Sequence, residues 1–358
     1  MSDEWALPKI DLHSHWFSPS TVRLLGGRRT GVRMDGVAKG RPVLLRGVRD
    51  GLPERFELGP QWFDLELRLA HLETVGIVHQ LLSWPTTLGL DPLSAPGELL
   101  GLWQAYNDDL GQLLRALPRR FSALAALSTS DIAWSVRELA RAHQELGLIG
   151  AVLPVGAFAS RQAALHLRPL LEEGQRQRSH LYLHTGLAHA SVPGQPPLPA
   201  DPDLPGIRSA LATAAVFANA VFTLLYTDVL DDYPDLTVQV AMLGGSGIFA
   251  NLLEQFLAAP QRYDNTDVAR RLERLSFDTG AAGSGSGAIS QVARLIGSRY
   301  LVFGTDYAPL ADTAAVIGNL LHAELDVAER RAIFFDNPAR LLRSKGVSLP
   351  TPVTLNEA

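Results

Sequence analysis

Short apolar runs alternate with longer segments of helical spacing along almost the whole chain, and few architectures accept that order. "KIDLHSH" from Lys9, "IVHQLLSW" from Ile77, "FSALAAL" from Phe121 and "GAVLP" from Gly150 read as strands. "HLYLHTG" from His180, "TVQVAML" from Thr237, "LSFDTG" from Leu275 and "YLVFGTDYAP" from Tyr300 continue the series. The intervening segments carry apolar residues at the spacing of one helix face. Leu65, Leu69, Leu72 and Val75 form such a face, which ends at Gly76, and Asp131 or Ser130 is placed to cap the segment that follows. Alternating βα units of this number, in one chain without an internal repeat, predict an α/β fold: a (β/α)8 TIM barrel forming a single domain over 1–358. The Gly- and Arg-rich stretch 18–61 is expected to be a loop or hairpin insertion after the first strand. Ala311 to Lys345 is expected to form extra C-terminal helices. Proline-rich 192–206 is expected to wall one side of the site, and 280–288 to be a flexible loop.

Such a barrel gathers its chemistry at the C-terminal ends of its strands, so polar residues there are read together. In the first strand Asp11, His13 and His15 alternate with Leu12 and Ser14, and period two puts them on one face. His184 ends the fifth strand and Asp306 the eighth. Two histidines, a third from across the barrel and a carboxylate make an N3O set suited to zinc with a position open to water.

Composition narrows the chemistry. The 358 residues are 46% hydrophobic with a net charge of −5, so nothing draws the chain as a whole to nucleic acid or an anionic membrane. The absence of cysteine removes disulfides, thiolate nucleophiles and cysteine-ligated zinc. "MSDEWALPK" lacks the apolar core of a secretory signal, so a cytoplasmic location is expected. No apolar run is expected to reach the roughly 18 residues of a membrane span without a breaker.

"KIDLHSHWFSP", "RLAHLETVGIVHQLLS", "PRRFSALAAL", "LYLHTG", "YPDLTVQVAMLGG", "FGTDYAP" and "NPARLL" follow one another in an order that resembles the amidohydrolase superfamily. The resemblance is to the branch that contains aminocarboxymuconate-semialdehyde decarboxylase. It implies that His13, His15, His184 and Asp306 hold one divalent ion, zinc first and manganese second. It also implies a small-molecule carboxylate substrate and a homodimer. Arg55, seven residues before Trp62, matches the branch's carboxylate-holding arginine, with Arg46 and Arg49 as competitors.

One departure stands out. The branch usually ends its sixth strand with a proton-transferring histidine, and Met242 occupies that place here. A thioether takes up no proton at neutral pH. With Val238 and Val240, Met242 is expected to face inward and wall the substrate. The proton work then passes to His189, in the loop after the fifth strand, or to Asp306, with Asp278 orienting groups in the mouth. The function expected from the resemblance is a metal-dependent lyase that nonoxidatively decarboxylates a small aromatic or unsaturated acid. The alternatives are a hydrolase or hydratase that uses metal-activated water, and a ligand-binding barrel with little turnover.

Overall fold

The computed structural model describes residues 3–49, 52–197, 204, 206–280 and 285–350. Two sequence expectations, the loop 280–288 and the proline-rich wall 192–206, lie partly outside these described residues. The strands are β1 (Lys9–His15), β2 (Arg33–Asp35), β3 (Val43–Arg49), β4 (Leu52–Glu57), β5 (Ile77–Ser83) and β6 (Phe121–Ala123). They continue with β7 (Ala125–Ala126), β8 (Gly150–Pro154), β9 (His180–His184), β10 (Thr237–Val240), β11 (Leu275–Asp278) and β12 (Leu301–Val302).

The chain is α/β with parallel sheets. One sheet runs β1-β5-β6 and another β12-β11-β10-β9-β8-β7, all parallel. The predicted third strand is interrupted at Leu124, which divides β6 from β7. Hydrogen bonds cross the break: Leu124 N–H donates to the Leu82 carbonyl (3.0 Å) and Ile149 N–H to that of Ala123 (3.1 Å). At the other edge Leu12 N–H donates to the Phe303 carbonyl (2.9 Å) and Asp306 N–H to the His13 carbonyl (2.8 Å). The eighth predicted strand is therefore regular only over Leu301–Val302, yet its continuation stays bonded to β1.

These strands read as continuous apolar runs because helices cover them. The helix Ile132–Gln144 shows how local chemistry sets an element. The Asp131 side chain accepts from Trp134 N–H (2.9 Å), while Leu139 and Ala142 are buried. Such a cap contributes about 1 kcal/mol. Between β1 and β5 lies a separate antiparallel sheet, β2-β3-β4, with Arg55 opposite Leu45.

One expectation is corrected. The helix Ile207–Tyr226, 20 residues long, is apolar enough to cross a membrane by length and composition. Its Phe217, Val221, Leu224 and Leu225 are buried within the protein, while Ile207 and Leu211 near its start are exposed.

Candidate metal centre

The C-terminal ends of β1 and β9 and the turn after β12 bring His13, His15, His184 and Asp306 together. One ligand-type atom from each lies within 4.8 Å of every other. Asp306 Oδ1 is 3.3 Å from His13 Nε2 and 3.2 Å from His15 Nε2. Both Nε2 atoms are buried without a hydrogen-bond partner among the described residues. Asp306 reaches this position with φ of 59°, a left-handed conformation that aspartate tolerates better than most residues.

The opposite edge of each imidazole is held. His13 Nδ1 is 2.9 Å from Asp278 Oδ1; a carboxylate can only accept, so the ring donates there. Ser83 Oγ donates to the Ser14 carbonyl (3.1 Å), leaving its lone pairs to His15 Nδ1 at 3.3 Å. Thr86 Oγ1 donates to the Thr185 carbonyl (2.8 Å) and so accepts from His184 Nδ1 (3.1 Å). His15 and His184 thus carry their proton on Nδ1 and turn a free Nε2 lone pair toward the cluster, and His13 does the same once its Nε2 proton is displaced. Burial alone would lower the pKa of His13, but Asp278 and Asp306 carry it up to about 10. Burial raises the Asp306 carboxyl, yet His13 and His15 beside it outweigh burial and hold it well below the usual range. Burial, followed by the neighbouring rings, keeps His184 low and neutral.

Beneath the cluster lies a polar layer of which sequence reasoning named Asp11 and Asp278 but missed Gln80, Arg68, Gln239 and Tyr182. Asp11 shares the face of His13 and His15 but is not among the clustered groups. It accepts from Thr305 Oγ1 (2.6 Å), Thr305 N–H (2.9 Å) and Gln80 Nε2 (2.7 Å). Burial raises its pKa against these bonds. Gln80 accepts in turn from Arg68 Nη1 (2.7 Å), a buried guanidinium that also donates to the His15 carbonyl. Gln239 donates through Nε2 to Asp278 Oδ2 (2.8 Å) and to the Leu12 carbonyl (3.0 Å). Tyr182 is buried under the same carboxylate without hydrogen-bond geometry to it. The available signal was a side-chain amide within a largely apolar strand run: Gln80 in "IVHQLLS" and Gln239 in "TVQVAML".

Met242 departs from the reasoning that turned it inward. Gln239 is the inward side chain of β10, so alternation points Val238 and Val240 the other way. The strand ends at Val240, and Met242 to Gly247 follow with φ of 57°, 51°, 62°, 78°, 65° and 77°. This is a left-handed turn, closed by Gly247 N–H to the Leu243 carbonyl (2.9 Å). The turn re-aims Met242. Its N–H donates to Asp278 Oδ1 (3.1 Å), and its half-buried Sδ accepts from Thr185 Oγ1 (3.3 Å), next to His184.

The remaining sequence candidates lie as follows. His189 is buried in the loop after β9; its Nδ1 accepts from Ser191 N–H (3.1 Å), and its own N–H donates to Thr129 Oγ1 (2.7 Å). Arg55 is exposed on β4 and has no hydrogen bond or ion pair among the described residues. Arg46 is committed to Glu54 (3.3 Å) and to the carbonyls of Thr87 and Leu88 (both 3.3 Å). The side chain of Arg49 lies outside the described residues.

A Dictyostelium discoideum protein, 2-amino-3-carboxymuconate-6-semialdehyde decarboxylase, is 24% identical to this chain over 277 residues, 76% of this chain and 74% of the relative. The crystal structure of 5-carboxyvanillate decarboxylase from Sphingomonas paucimobilis matches with a TM-score of 0.68 at 19% identity, covering 94% of this chain and 99% of that one. The corresponding Novosphingobium aromaticivorans enzyme, complexed with manganese and 4-hydroxy-3-methoxy-5-nitrobenzoic acid, matches at 0.67 and 17%, covering 96% and 98%. These likenesses show a shared fold. The profile of the family described as Amidohydrolase matches residues 99–344, more than half of the chain, and the chain therefore belongs to the amidohydrolase family.

Proposed function

We propose that His13, His15, His184 and Asp306 hold one divalent cation, and that the protein nonoxidatively decarboxylates a small aromatic or unsaturated carboxylic acid. The observation that carries the reading is the pair of buried, unpartnered Nε2 atoms facing Asp306. Ligands about 2.1 Å from a shared tetrahedral ion lie about 3.4 Å apart, close to the 3.2 and 3.3 Å separations found. The ring of eight parallel strand positions implied by the bonds across Leu124 and between β12 and β1 is the frame we infer for this site.

When bound, the ion supplies Lewis acidity toward substrate oxygen. The protein's own groups do the rest. Asp278, Ser83 and Thr86 hold the Nδ1 protons and so orient the three rings. Arg55, exposed and unpaired, is available to a substrate carboxylate. Met242 contributes a polarizable apolar wall. His189, with Nδ1 occupied by Ser191, has Nε2 left for proton transfer, and Asp306 is the other proton-handling group. Manganese, held by structural relatives, and zinc, suited to N3O donors, are the two ions to test. A homodimer and a cytoplasmic location complete the reading. Ile207, Leu211, Ile248 and Leu252, exposed on two neighbouring helices, are the first surface to probe by sedimentation.

A hydrolase or hydratase is the second reading, favoured by Met242, whose thioether brings no proton to carbon. Product analysis separates them. Protein loaded with manganese or zinc is incubated with a panel of hydroxybenzoates and unsaturated acids. Decarboxylation predicts metal-dependent CO2 release that His184→Ala abolishes; water addition or ester cleavage without CO2 overturns it. If Met242 has removed acid/base chemistry, Met242→His raises CO2 release. If His189 has taken over the proton work, only His189→Ala changes the rate.

A further inference from the structure

The three clustered histidines are not supported alike. His13 leans on a carboxylate, and His15 on a serine at the end of its neighbouring strand. His184 leans on Thr86, from the loop after β5, and among the described residues no carboxylate is bonded to its Nδ1. We infer that Thr86 is the positioning residue of His184, fixing its tautomer and ring angle and tying this one ligand to the loop after β5. The inference rests on the proposed cation site.

The protons available decide the direction of each bond. A threonine hydroxyl has one proton. The Thr185 carbonyl cannot donate and takes that proton at 2.8 Å. The remaining contact, 3.1 Å to His184 Nδ1, is then satisfied only if the imidazole donates, which leaves Nε2 as its lone-pair face. Without the hydroxyl, no side chain among the described residues is bonded to Nδ1 to distinguish the two tautomers.

The loop is built to keep Thr86 in place. Gly186, two residues past His184, has φ of 144°, and a Cβ there would sit 2.7 Å from the Thr86 carbonyl oxygen, so only glycine permits the approach. Gly156 N–H donates to the Gly186 carbonyl (2.9 Å) and holds the strand exit. From the other side Arg46, on β3, donates to the carbonyls of Thr87 and Leu88. The antiparallel sheet is thereby fastened to the turn that holds His184.

The test uses the full chain with Thr86→Val, which keeps the shape and removes the hydroxyl, and Thr86→Ser, which restores it. Manganese and zinc affinities are measured by competition with a chelator, and imidazole 15N shifts are recorded on metal-free protein. The expected result is a loss of about 10–100-fold in affinity for Thr86→Val, the usual effect of removing such a partner, with Thr86→Ser within about threefold of wild type. The His184 resonances should move from a single Nδ1-protonated tautomer to a mixture in Thr86→Val alone. Unchanged affinity and an unchanged tautomer in Thr86→Val overturn the inference. If His184→Ala loses the metal while Thr86→Val keeps it, the cation site stands and the positioning role falls. If wild type binds no metal, the cation site falls, and the 15N shifts alone decide the role of Thr86. If Thr86→Val does not fold, Thr86→Ala with the same two readouts takes its place.

Discussion

Replacing Asp278 with asparagine keeps the volume and removes one acceptor from a fully committed carboxylate. Oδ1 accepts from His13 Nδ1, Gly280 N–H (3.0 Å) and Met242 N–H (3.1 Å), and Oδ2 accepts from Gln239 Nε2. An asparagine that keeps its oxygen on the first side turns its NH2 toward Gln239. Gln239 cannot flip in reply, because its Nε2 also donates to the Leu12 carbonyl and its Oε1 lies 3.3 Å from His180 Nε2. The opposite orientation sets the NH2 against three donors and is worse. The better arrangement still opposes two buried donors, which costs about 1–3 kcal/mol of stability. The bond to His13 also loses its ionic character and about half its strength. On the metal this predicts a loss of about 10–100-fold in affinity, or about 1.4–2.7 kcal/mol. Urea unfolding of the metal-free protein reads the first quantity and chelator competition the second. An Asp278→Asn protein within about 0.5 kcal/mol of wild-type stability and twofold of its affinity would refute the reasoning.

Gly245→Ala should destabilise by about 2–4 kcal/mol, because the new Cβ meets Phe217 Cβ at 2.7 Å and Ala214 Cα at 3.0 Å while φ is 78°; a melting point unchanged by scanning calorimetry contradicts this. Arg55→Ala should leave stability within about 0.5 kcal/mol, since the side chain is exposed and has no partner among the described residues, but weaken carboxylate inhibitors; equal inhibition constants move the role elsewhere. Acid should weaken the fold through two buried histidines. Burial lowers His79 to about 4 and His180 to about 3, so both are neutral in the native chain. The unfolded chain takes up their protons below about pH 6.5, so this stability is intact above that value. It then falls by about 1.4 kcal/mol per group per pH unit until each native imidazole titrates. Urea midpoints that stay flat from pH 6.5 to 4.5 would contradict it.

The strand order was legible because each parallel strand is buried on both faces and leaves a continuous apolar run, and β1 matches its expected bounds, Lys9–His15. The convergence of His13, His15, His184 and Asp306 was legible because parallel strands joined by helices send their C-terminal ends to one side. The alternation argument for Met242 does not hold, because period two applies only while the chain stays extended and the strand ends at Val240 before a left-handed turn. "MLGGSG" carried that signal in its glycines. Thr86 was not legible, because the bond that matters joins residues 98 apart, and one threonine in a loop looks like any other. Asp11 was placed on the right face, but its bonds to Thr305 and Gln80 depend on neighbours that one strand's pattern does not contain.

A manganese titration followed by electron paramagnetic resonance reads whether His13, His15, His184 and Asp306 hold a single cation. The free aqueous ion gives the signal that binding removes. The wild-type chain should silence one equivalent, and His184→Ala and Asp306→Ala should leave that equivalent free. Manganese that stays free with wild type, or is bound equally well by both variants, would contradict the account.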